Sequence, residues 1–131
     1  MADRYQRGIA VVKELAGEQG LKALEEVSAF SPDFAKIITE FGFGEIYTRP
    51  HLDLKQRELL TLSALITLGA ENQLPFHFYS ALNSGFTQAE LIEITIHCAA
   101  YAGFPRALNA LQVLQKVCAA RNMSESPDER K

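Results

Sequence analysis

The sequence of 131 residues has few cysteines and no surplus of positive charge. Its two cysteines, Cys98 and Cys118, are too few and too far apart for a disulfide framework or a cysteine zinc site. Thirteen Lys and Arg stand against sixteen Asp and Glu, for a net charge of -3, whereas nucleic-acid-binding domains usually carry a basic surplus. These shortages exclude a disulfide scaffold and argue against a nucleic-acid partner.

Long apolar runs and several common motifs are also missing. Every apolar stretch is broken by Thr, Ser, Glu or Gly before it reaches the roughly 20 residues that span a membrane. The opening letters, MADRYQRG, are too charged for a secretory signal. The sequence has no glycine-rich phosphate loop, no GxSxG and no HExxH. We therefore expect a soluble cytoplasmic protein with no membrane segment and no metal site.

What the sequence does contain is one helix signal after another. Apolar residues recur at helical spacing, while strand alternation and hairpin turns are absent. Capping residues mark three of the helix starts: Ser31 before Pro32, Asp53 with Gln56, and Thr87 with Glu90. Gly17 is predicted to stop the first helix, and the helix that starts at Pro32 is predicted to weaken at Gly42 and Gly44. The pattern predicts an all-α single domain of six or seven helices over residues 1–121. A disordered polar tail is predicted over residues 122–131.

Two of the predicted helices, residues 54–70 and 87–101, are apolar on nearly every face. A helix of this kind is normally buried by neighbours on several sides, and the chain is too short to cover both. We therefore expect the chain to oligomerise through them, because burial of apolar area contributes roughly 25 cal/mol per Å². The alternative is that the two helices form the core of a monomer.

His77 and Glu58 are the polar residues best placed for chemistry. His77 lies between aromatic residues at the start of a helix, where a neutral imidazole can donate or accept a proton near pH 7. Glu58 lies one turn inside the most apolar helix, where a carboxylate either faces water near the helix N-terminus or is half-buried and functional. A purely structural role stays open for both residues.

The other candidates are weaker. His51 follows a proline in a loop and is expected to be solvated, while His97 lies four residues after Glu93 and favours an ion pair or hydrogen bond over a metal site. Cys98 and Cys118 lie in apolar helices and are expected to be inert, since buried thiols react slowly.

Three stretches of the sequence resemble the carboxymuconolactone decarboxylase family: TRPHLDLKQRELLTL, FHFYSALNSGFTQAELIEI and AAYAGFPRALNAL. The N-terminal RYQRGIAVVKELAG is similar to the start of the full-length decarboxylases, so the likeness covers residues 4–117. The family consists of small all-helical proteins related to the alkylhydroperoxidase D fold, which are trimers or hexamers. The resemblance therefore implies that fold and a homo-oligomer, most simply a hexamer built as a trimer of dimers.

The resemblance also distinguishes two branches. The alkylhydroperoxidase branch has a C-x2-C-x3-H motif with a glutamate twelve residues before the first cysteine. Here Glu58 and His77 match the glutamate and the histidine, while Ala70 and Gln73 occupy the cysteine positions. Thiol-dependent peroxide reduction by that mechanism is excluded, because no sulfur is present to attack the peroxide.

The thiol-free decarboxylase branch is the closer likeness. It implies a cofactor-free lyase that removes CO2 from 4-carboxymuconolactone, or from a related carboxylated lactone or keto acid, in aromatic-compound degradation. The resemblance assigns the catalytic acid to His77 and its orienting partner to Glu58. Decarboxylases often read H-x-R where this sequence has Tyr79, so substrate binding falls to Tyr79 and, for the carboxylate, to Arg57 or Arg49.

Two other interpretations stay open. The protein could be a thiol-free alkylhydroperoxidase-like binding or accessory protein without peroxidase activity, or a helical assembly module without chemistry. A lyase should bring His77, Glu58 and at least one arginine together at a closed cavity, whereas an assembly module should bury His77 in apolar contacts. A straight hairpin of helices 54–70 and 75–84 would keep the two side chains more than ~10 Å apart. Their contact requires crossed helices, a kink near Gly69 or a second subunit.

Overall fold

A computed structural model describes residues 3–124, and every regular element in that range is helical. The elements are α1 (Arg4–Phe30), α2 (Pro32–Ile37), a π-helix (Ile38–Ile46), α3 (Leu54–Leu68), a 3-10 turn (Glu71–Gln73), α4 (Leu74–Asn83), α5 (Gln88–Ala102) and α6 (Phe104–Ser124). The all-α prediction is confirmed. Within that range, the helices are too short or too polar to cross a membrane. Helix α6 continues three residues into the predicted tail, and the rest of that tail, residues 125–131, lies outside the described residues.

The described residues form two compact units, divided between Arg57 and Glu58. In the first unit, α1 breaks at Gly17, whose backbone has φ 56 and ψ -142. This is the residue predicted to stop the first helix, and its left-handed conformation is one that glycine adopts without strain. The chain on either side of the break is helical, as the apolar spacing predicts.

Helix α1 packs unusually close to the π-helix at two glycines. A Cβ atom added to Gly8 would lie 2.0 Å from the carbonyl oxygen of Thr39, and one added to Gly44 would lie 2.0 Å from the carbonyl oxygen of Arg4. Both values are far below van der Waals contact. The absence of a side chain at each position is therefore what allows the two backbones to touch.

The predicted helix caps are confirmed. The Oδ1 atom of Asp53 accepts a hydrogen bond from the Gln56 N–H at 2.7 Å, and the Oε1 atom of Gln56 accepts one from the Asp53 N–H at 2.9 Å. Thr87 and Glu90 form the same reciprocal pair at the start of α5. These bonds satisfy N–H groups that have no partner inside the helix, and they fix where α3 and α5 begin.

The second unit packs α4, α5, α6 and most of α3 around one apolar core. The buried core residues are Leu62, Ile66, Leu74, Phe78, Ala81, Leu91, Cys98, Ala110, Leu114 and Cys118. Helix α3 buries a single stripe, and its Leu60 and Leu68 are 56% and 71% exposed. Helix α5 likewise leaves Ile96 exposed. The single chain therefore leaves part of both helices uncovered, in agreement with the expectation that it is too short to cover them.

Candidate active site

Glu58 and His77 meet within one chain. The Nδ1 atom of His77 lies 2.9 Å from the Oε2 atom of Glu58. The Glu58 side chain is fully buried, and the His77 side chain is 14% exposed. A buried carboxylate costs free energy unless a hydrogen-bonding or charged partner compensates it. The imidazole supplies such a partner, so the pair is a coupled unit rather than two separate side chains.

The elements that carry the pair explain how it forms. Glu58 is the first residue of the buried stripe on α3, one turn before Leu62, so the face that anchors the helix also buries the carboxylate. His77 lies in the first turn of α4. At 1.5 Å per residue, Glu58 is about 15 Å from the end of α3, whereas His77 is about 5 Å from the start of α4. A 2.9 Å contact therefore excludes a straight hairpin of α3 and α4 and needs no second subunit. The angle at which α4 meets α3, here called the α3–α4 crossing, brings the start of α4 to the first half of α3.

The contact assigns different tasks to the two ring nitrogens of His77. An ionised carboxylate only accepts hydrogen bonds, so with Glu58 ionised the Nδ1 atom carries a proton and donates it. The Nε2 atom is then the one that gains or loses a proton. The Phe76 ring packs edge-on against the imidazole, with ring centroids 5.0 Å apart. Together, these contacts restrict the orientation of the ring.

The two predicted substrate-binding arginines are linked to each other in the first unit. The Nη2 atom of Arg57 donates to the carbonyl oxygen of Arg49 at 2.9 Å and to that of Pro50 at 3.4 Å. Its Nε atom is buried and has no hydrogen-bond partner among residues 3–124. The Nη2 atom of Arg57 is thus bonded to backbone carbonyl groups, whereas its Nε–H group donates no hydrogen bond to residues 3–124.

Tyr79 faces a different part of the second unit from His77. Tyr79 follows His77 by two residues, and a helix turns by about 100° per residue, so the two side chains point about 200° apart around the helix. The guanidinium of Arg121 lies over the Tyr79 ring, 5.7 Å from the ring centroid. Arg121 also donates to the Oδ1 atom of Asn83 at 2.9 Å. The structure therefore places Tyr79 against α6 and does not bring it to the Glu58–His77 pair.

The remaining histidines and the two cysteines differ in their exposure. His51 is exposed in a loop, as predicted, and the ring of the exposed His97 lies 5.6 Å from that of Tyr101. No group of three or more His, Cys, Asp or Glu residues within the described part of the chain could hold a metal ion. Cys98 and Cys118 are buried free thiols. Burial raises the pKa of the Cys118 thiol, and the charge of Arg121 opposes part of that rise.

Two residues that hold the segment between α3 and α4 were not predicted from the sequence. The Nη1 atom of Arg106 donates to the carbonyl oxygen of Thr67, and the Nδ2 atom of Asn109 donates to the Oε1 atom of Glu71 at 2.7 Å. Arg106 and Asn109 are three residues apart and share a face of α6. That spacing is visible in the sequence, but it does not indicate which groups the face contacts.

The sequence is similar to decarboxylases along most of its length. Residues 32–116 match the carboxymuconolactone decarboxylase family. The chain is 36% identical over 115 residues to 4-carboxymuconolactone decarboxylase of Acinetobacter baylyi, across 87% of this chain and 86% of that protein. It is 37% identical over 113 residues to nitrosuccinic acid decarboxylase of Metarhizium robertsii, across 86% of this chain and 79% of that protein.

These similarities define the class first: an all-helical protein of decarboxylase type without the paired thiols of the peroxidase branch. The chain belongs to the carboxymuconolactone decarboxylase family. An uncharacterized 15.0 kDa protein of Paracoccus denitrificans is also similar, at 33% identity over 101 residues, across 76% of this chain and 73% of that protein. The family assignment made from the sequence is confirmed.

Proposed function

We propose that this protein is a cofactor-free decarboxylase of a small carboxylated molecule, with 4-carboxymuconolactone or a related carboxylated lactone as its substrate. The observation that carries the proposal is the 2.9 Å contact between His77 and the fully buried Glu58. It supports acid–base chemistry in a chain whose characterised relatives are named as decarboxylases.

The chemistry of such a substrate needs few groups from the protein. When CO2 leaves, the electron pair of the broken carbon–carbon bond stays on the ring carbon. In a carboxylated lactone, this pair spreads through the ring double bond onto the lactone carbonyl, so the substrate is its own electron sink. The enzyme has to stabilise the developing oxyanion and deliver a proton to carbon.

In this proposal, His77 is the acid. The protonated ring gives its Nε2 proton to the substrate carbon and keeps its Nδ1 proton in the hydrogen bond to Glu58. The carboxylate stabilises the imidazolium before transfer and holds the ring during it, and burial strengthens that interaction because the local dielectric is low. Glu58 is accordingly a positioning residue, since it acts through His77.

The substrate carboxylate requires a cation, and we assign that task to Arg57 with Arg49. Arg57 precedes Glu58 directly in the sequence, and its buried Nε atom has no hydrogen-bond partner among the described residues. A guanidinium with a disengaged N–H group can form a charge-assisted hydrogen bond to a carboxylate. Tyr79 keeps its sequence-based assignment to substrate binding only as a secondary candidate, because its ring packs against Arg121.

The protein is further proposed to assemble as a closed homo-oligomer, most simply a hexamer built as a trimer of dimers. Large apolar side chains of the second unit are exposed in the single chain, among them Leu60, Leu68, Ile96, Tyr101 and Phe104. Surface of this kind is normally covered by another protein surface. The family's oligomeric habit, which the resemblance implies, makes a second copy of the chain the proposed cover.

The decisive experiment is steady-state kinetics of CO2 release from 4-carboxymuconolactone, nitrosuccinic acid and a small panel of carboxylated lactones. His77→Ala should lower kcat by about 10²–10⁴-fold, the usual contribution of a positioned acid, and change KM much less. Glu58→Gln should lower kcat by a smaller factor, because it keeps a hydrogen-bonding group beside the ring. His97→Ala, which removes an exposed histidine, is the matched control and should retain wild-type kinetics.

The outcomes separate the competing interpretations. A wild-type protein that binds these carboxylates without releasing CO2 would favour the binding or accessory protein. Full kcat in a folded His77→Ala variant would refute the assignment of the acid while leaving the reaction intact. The assembly-module interpretation already fits poorly, because His77 is paired with a carboxylate rather than buried in apolar contacts.

A further inference from the structure

The contact between Glu58 and His77 depends on how the chain turns between α3 and α4. Helix α3 ends at Leu68, and the next residue, Gly69, has a φ of 74. The Gly69 N–H donates to the Ile66 carbonyl at 3.2 Å, and the Ala70 N–H donates to the Leu65 carbonyl at 2.9 Å. This pair of bonds is the Schellman arrangement of a helix C-terminus. It ends the helix sharply, but it provides no donor for the Thr67 carbonyl.

Arg106 provides a donor from outside the helix. Its Nη1 atom donates to the Thr67 carbonyl, and its guanidinium covers Gly69 closely enough that a Cβ added there would lie 3.6 Å from Arg106 Cζ. Arg106 is in the first turn of α6, where the dipole of its own helix disfavours a cation. At the C-terminus of α3, the same charge is favoured. The C-terminus of α3 therefore stabilises the guanidinium, and the guanidinium in turn restrains that end of the helix.

Asn109 holds the next part of the same connection. Its Nδ2 atom donates to the Oε1 atom of Glu71 at 2.7 Å, and Glu71 begins the 3-10 turn that leads into α4. Arg106 and Asn109 lie on one face of α6. One rigid helix face thus holds both the end of α3 and the turn before α4, which are the two points that determine the crossing angle.

We propose that Arg106 and Asn109 are positioning residues that set the α3–α4 crossing and thereby hold His77 Nδ1 against Glu58. Neither residue touches the reacting atoms. The kinetic part of this inference rests on the proposed decarboxylase function, but the structural part does not. A displacement of about 1 Å in a catalytic group can lower a rate by as much as 10²-fold, so a small change in the crossing is sufficient to impair His77.

The test records nitrogen chemical shifts of ring-labelled histidine in the intact protein, with His51→Gln and His97→Gln used for assignment. These shifts show which nitrogen of the neutral His77 ring carries the proton. The wild-type protein should hold the proton on Nδ1, because Glu58 accepts it there. Arg106→Ala should give a mixture of the two tautomers, lower kcat about tenfold or more, and change KM less than twofold.

Conservative and swapped variants distinguish positioning from simple destabilisation. Arg106→Lys should restore most of kcat and the Nδ1 tautomer, because one N–H donor and one charge suffice at the Thr67 carbonyl. Asn109→Asp places a carboxylate against Glu71 and should impair both readouts. Adding Glu71→Gln to Asn109→Asp reverses the donor and acceptor of the same hydrogen bond and should restore both.

Arg121→Ala is the matched control. It also removes a guanidinium hydrogen bond donated from α6, but to Asn83 at the end of α4 rather than to α3. It should leave the His77 tautomer and kcat within twofold of wild type. An unchanged tautomer in Arg106→Ala, or an equal loss in Arg121→Ala, would overturn the inference. If the wild type releases no CO2, the proposed decarboxylase function is refuted, while the His77 tautomer still tests whether Arg106 and Asn109 position the ring. If Arg106→Ala does not fold, the Arg106→Lys and swapped variants decide.

Discussion

The close approach of α1 to the π-helix leads to a stability prediction with a built-in control. Gly44→Ala would place a Cβ 2.0 Å from the carbonyl oxygen of Arg4, where ordinary contact begins at about 3.4 Å. The two helices would have to separate by more than 1 Å. Both partners in the clash are main-chain atoms, so no side-chain rotation can relieve it. Gly8→Ala creates the same conflict with the carbonyl of Thr39.

The expected magnitude follows from the size of the clash. Overpacking usually destabilises a protein by about 1–3 kcal/mol, and a clash between backbones belongs at the top of that range. We expect Gly44→Ala to lower the free energy of unfolding by about 3 kcal/mol and the Tm by roughly 10 °C. The Gly8→Ala/Gly44→Ala double variant should lose less than the sum, because one substitution already separates the helices.

Gly42→Ala is the control within the same π-helix. A Cβ at Gly42 would meet no atom within 4 Å, and alanine is favoured over glycine in helices by up to about 1 kcal/mol. Its Tm should equal or exceed that of the wild type. Thermal and urea unfolding should be followed by circular dichroism at one fixed protein concentration, because assembly makes stability concentration-dependent. Equal stability of Gly44→Ala and wild type would refute the packing argument.

Four further predictions concern assembly, the thiols and a buried hydroxyl. Light scattering coupled to size exclusion at low micromolar concentration should give a multiple of 14.5 kDa, and a mass near that of one chain would contradict the oligomer. Replacing Cys98 and Cys118 together by alanine should leave kcat nearly unchanged. Burial raises the pKa of the Cys118 thiol, so the unfolded chain loses that proton more readily than the folded protein does. The free energy of unfolding should therefore fall as the pH rises above the ordinary pKa of a thiol, and it should fall less in Cys118→Ala. Ser80→Ala should raise the free energy of unfolding by about 1 kcal/mol, since its buried Oγ has no hydrogen-bond partner among residues 3–124; a clear loss of stability would reveal a partner.

Local signals in the sequence predicted the helices well. The caps at Asp53 and Thr87 depend on residues three positions away, and the stop at Gly17 depends on the conformational freedom of one residue. Such features are decided by short stretches of chain. The π-helix was predicted only as a helix that weakens at Gly42 and Gly44. The π-helix has a wider turn and makes a backbone contact with α1, some 40 residues earlier. Sequence patterns over a few neighbouring residues cannot predict a contact of this range.

The candidate site was predictable to a similar extent. Chemistry and resemblance singled out Glu58 and His77, but helix geometry alone left their contact unresolved. The contact depends on the α3–α4 crossing, and the hydrogen bonds that hold the connection come from α6, 38 or 39 residues away in sequence. Tyr79 shows what motif analysis leaves open: its position in the motif suggests substrate contact, while its ring packs against Arg121.

Stability alone does not readily explain a buried carboxylate–imidazole pair of this kind. Glu58 continues the stripe of Leu62 and Ile66, so a leucine there would extend the apolar core, and replacing buried pairs by apolar residues is often neutral or stabilising. Breaking the pair at one side is different. His77→Leu should cost about 3–5 kcal/mol, because it leaves a fully buried carboxylate without the imidazole.

Glu58→Leu should be less destabilising, because the His77 side chain keeps some exposure to water. The double variant Glu58→Leu/His77→Leu should recover most of the wild-type stability and have no detectable turnover. Urea unfolding at constant protein concentration gives the coupling between the two sites, and CO2 release gives the activity. A stable, inactive double variant would mean that the chain retains this carboxylate and imidazole for proton transfer. If the double variant is as unstable as His77→Leu, the pair is a structural requirement of the α3–α4 crossing, and the case for His77 as the acid weakens.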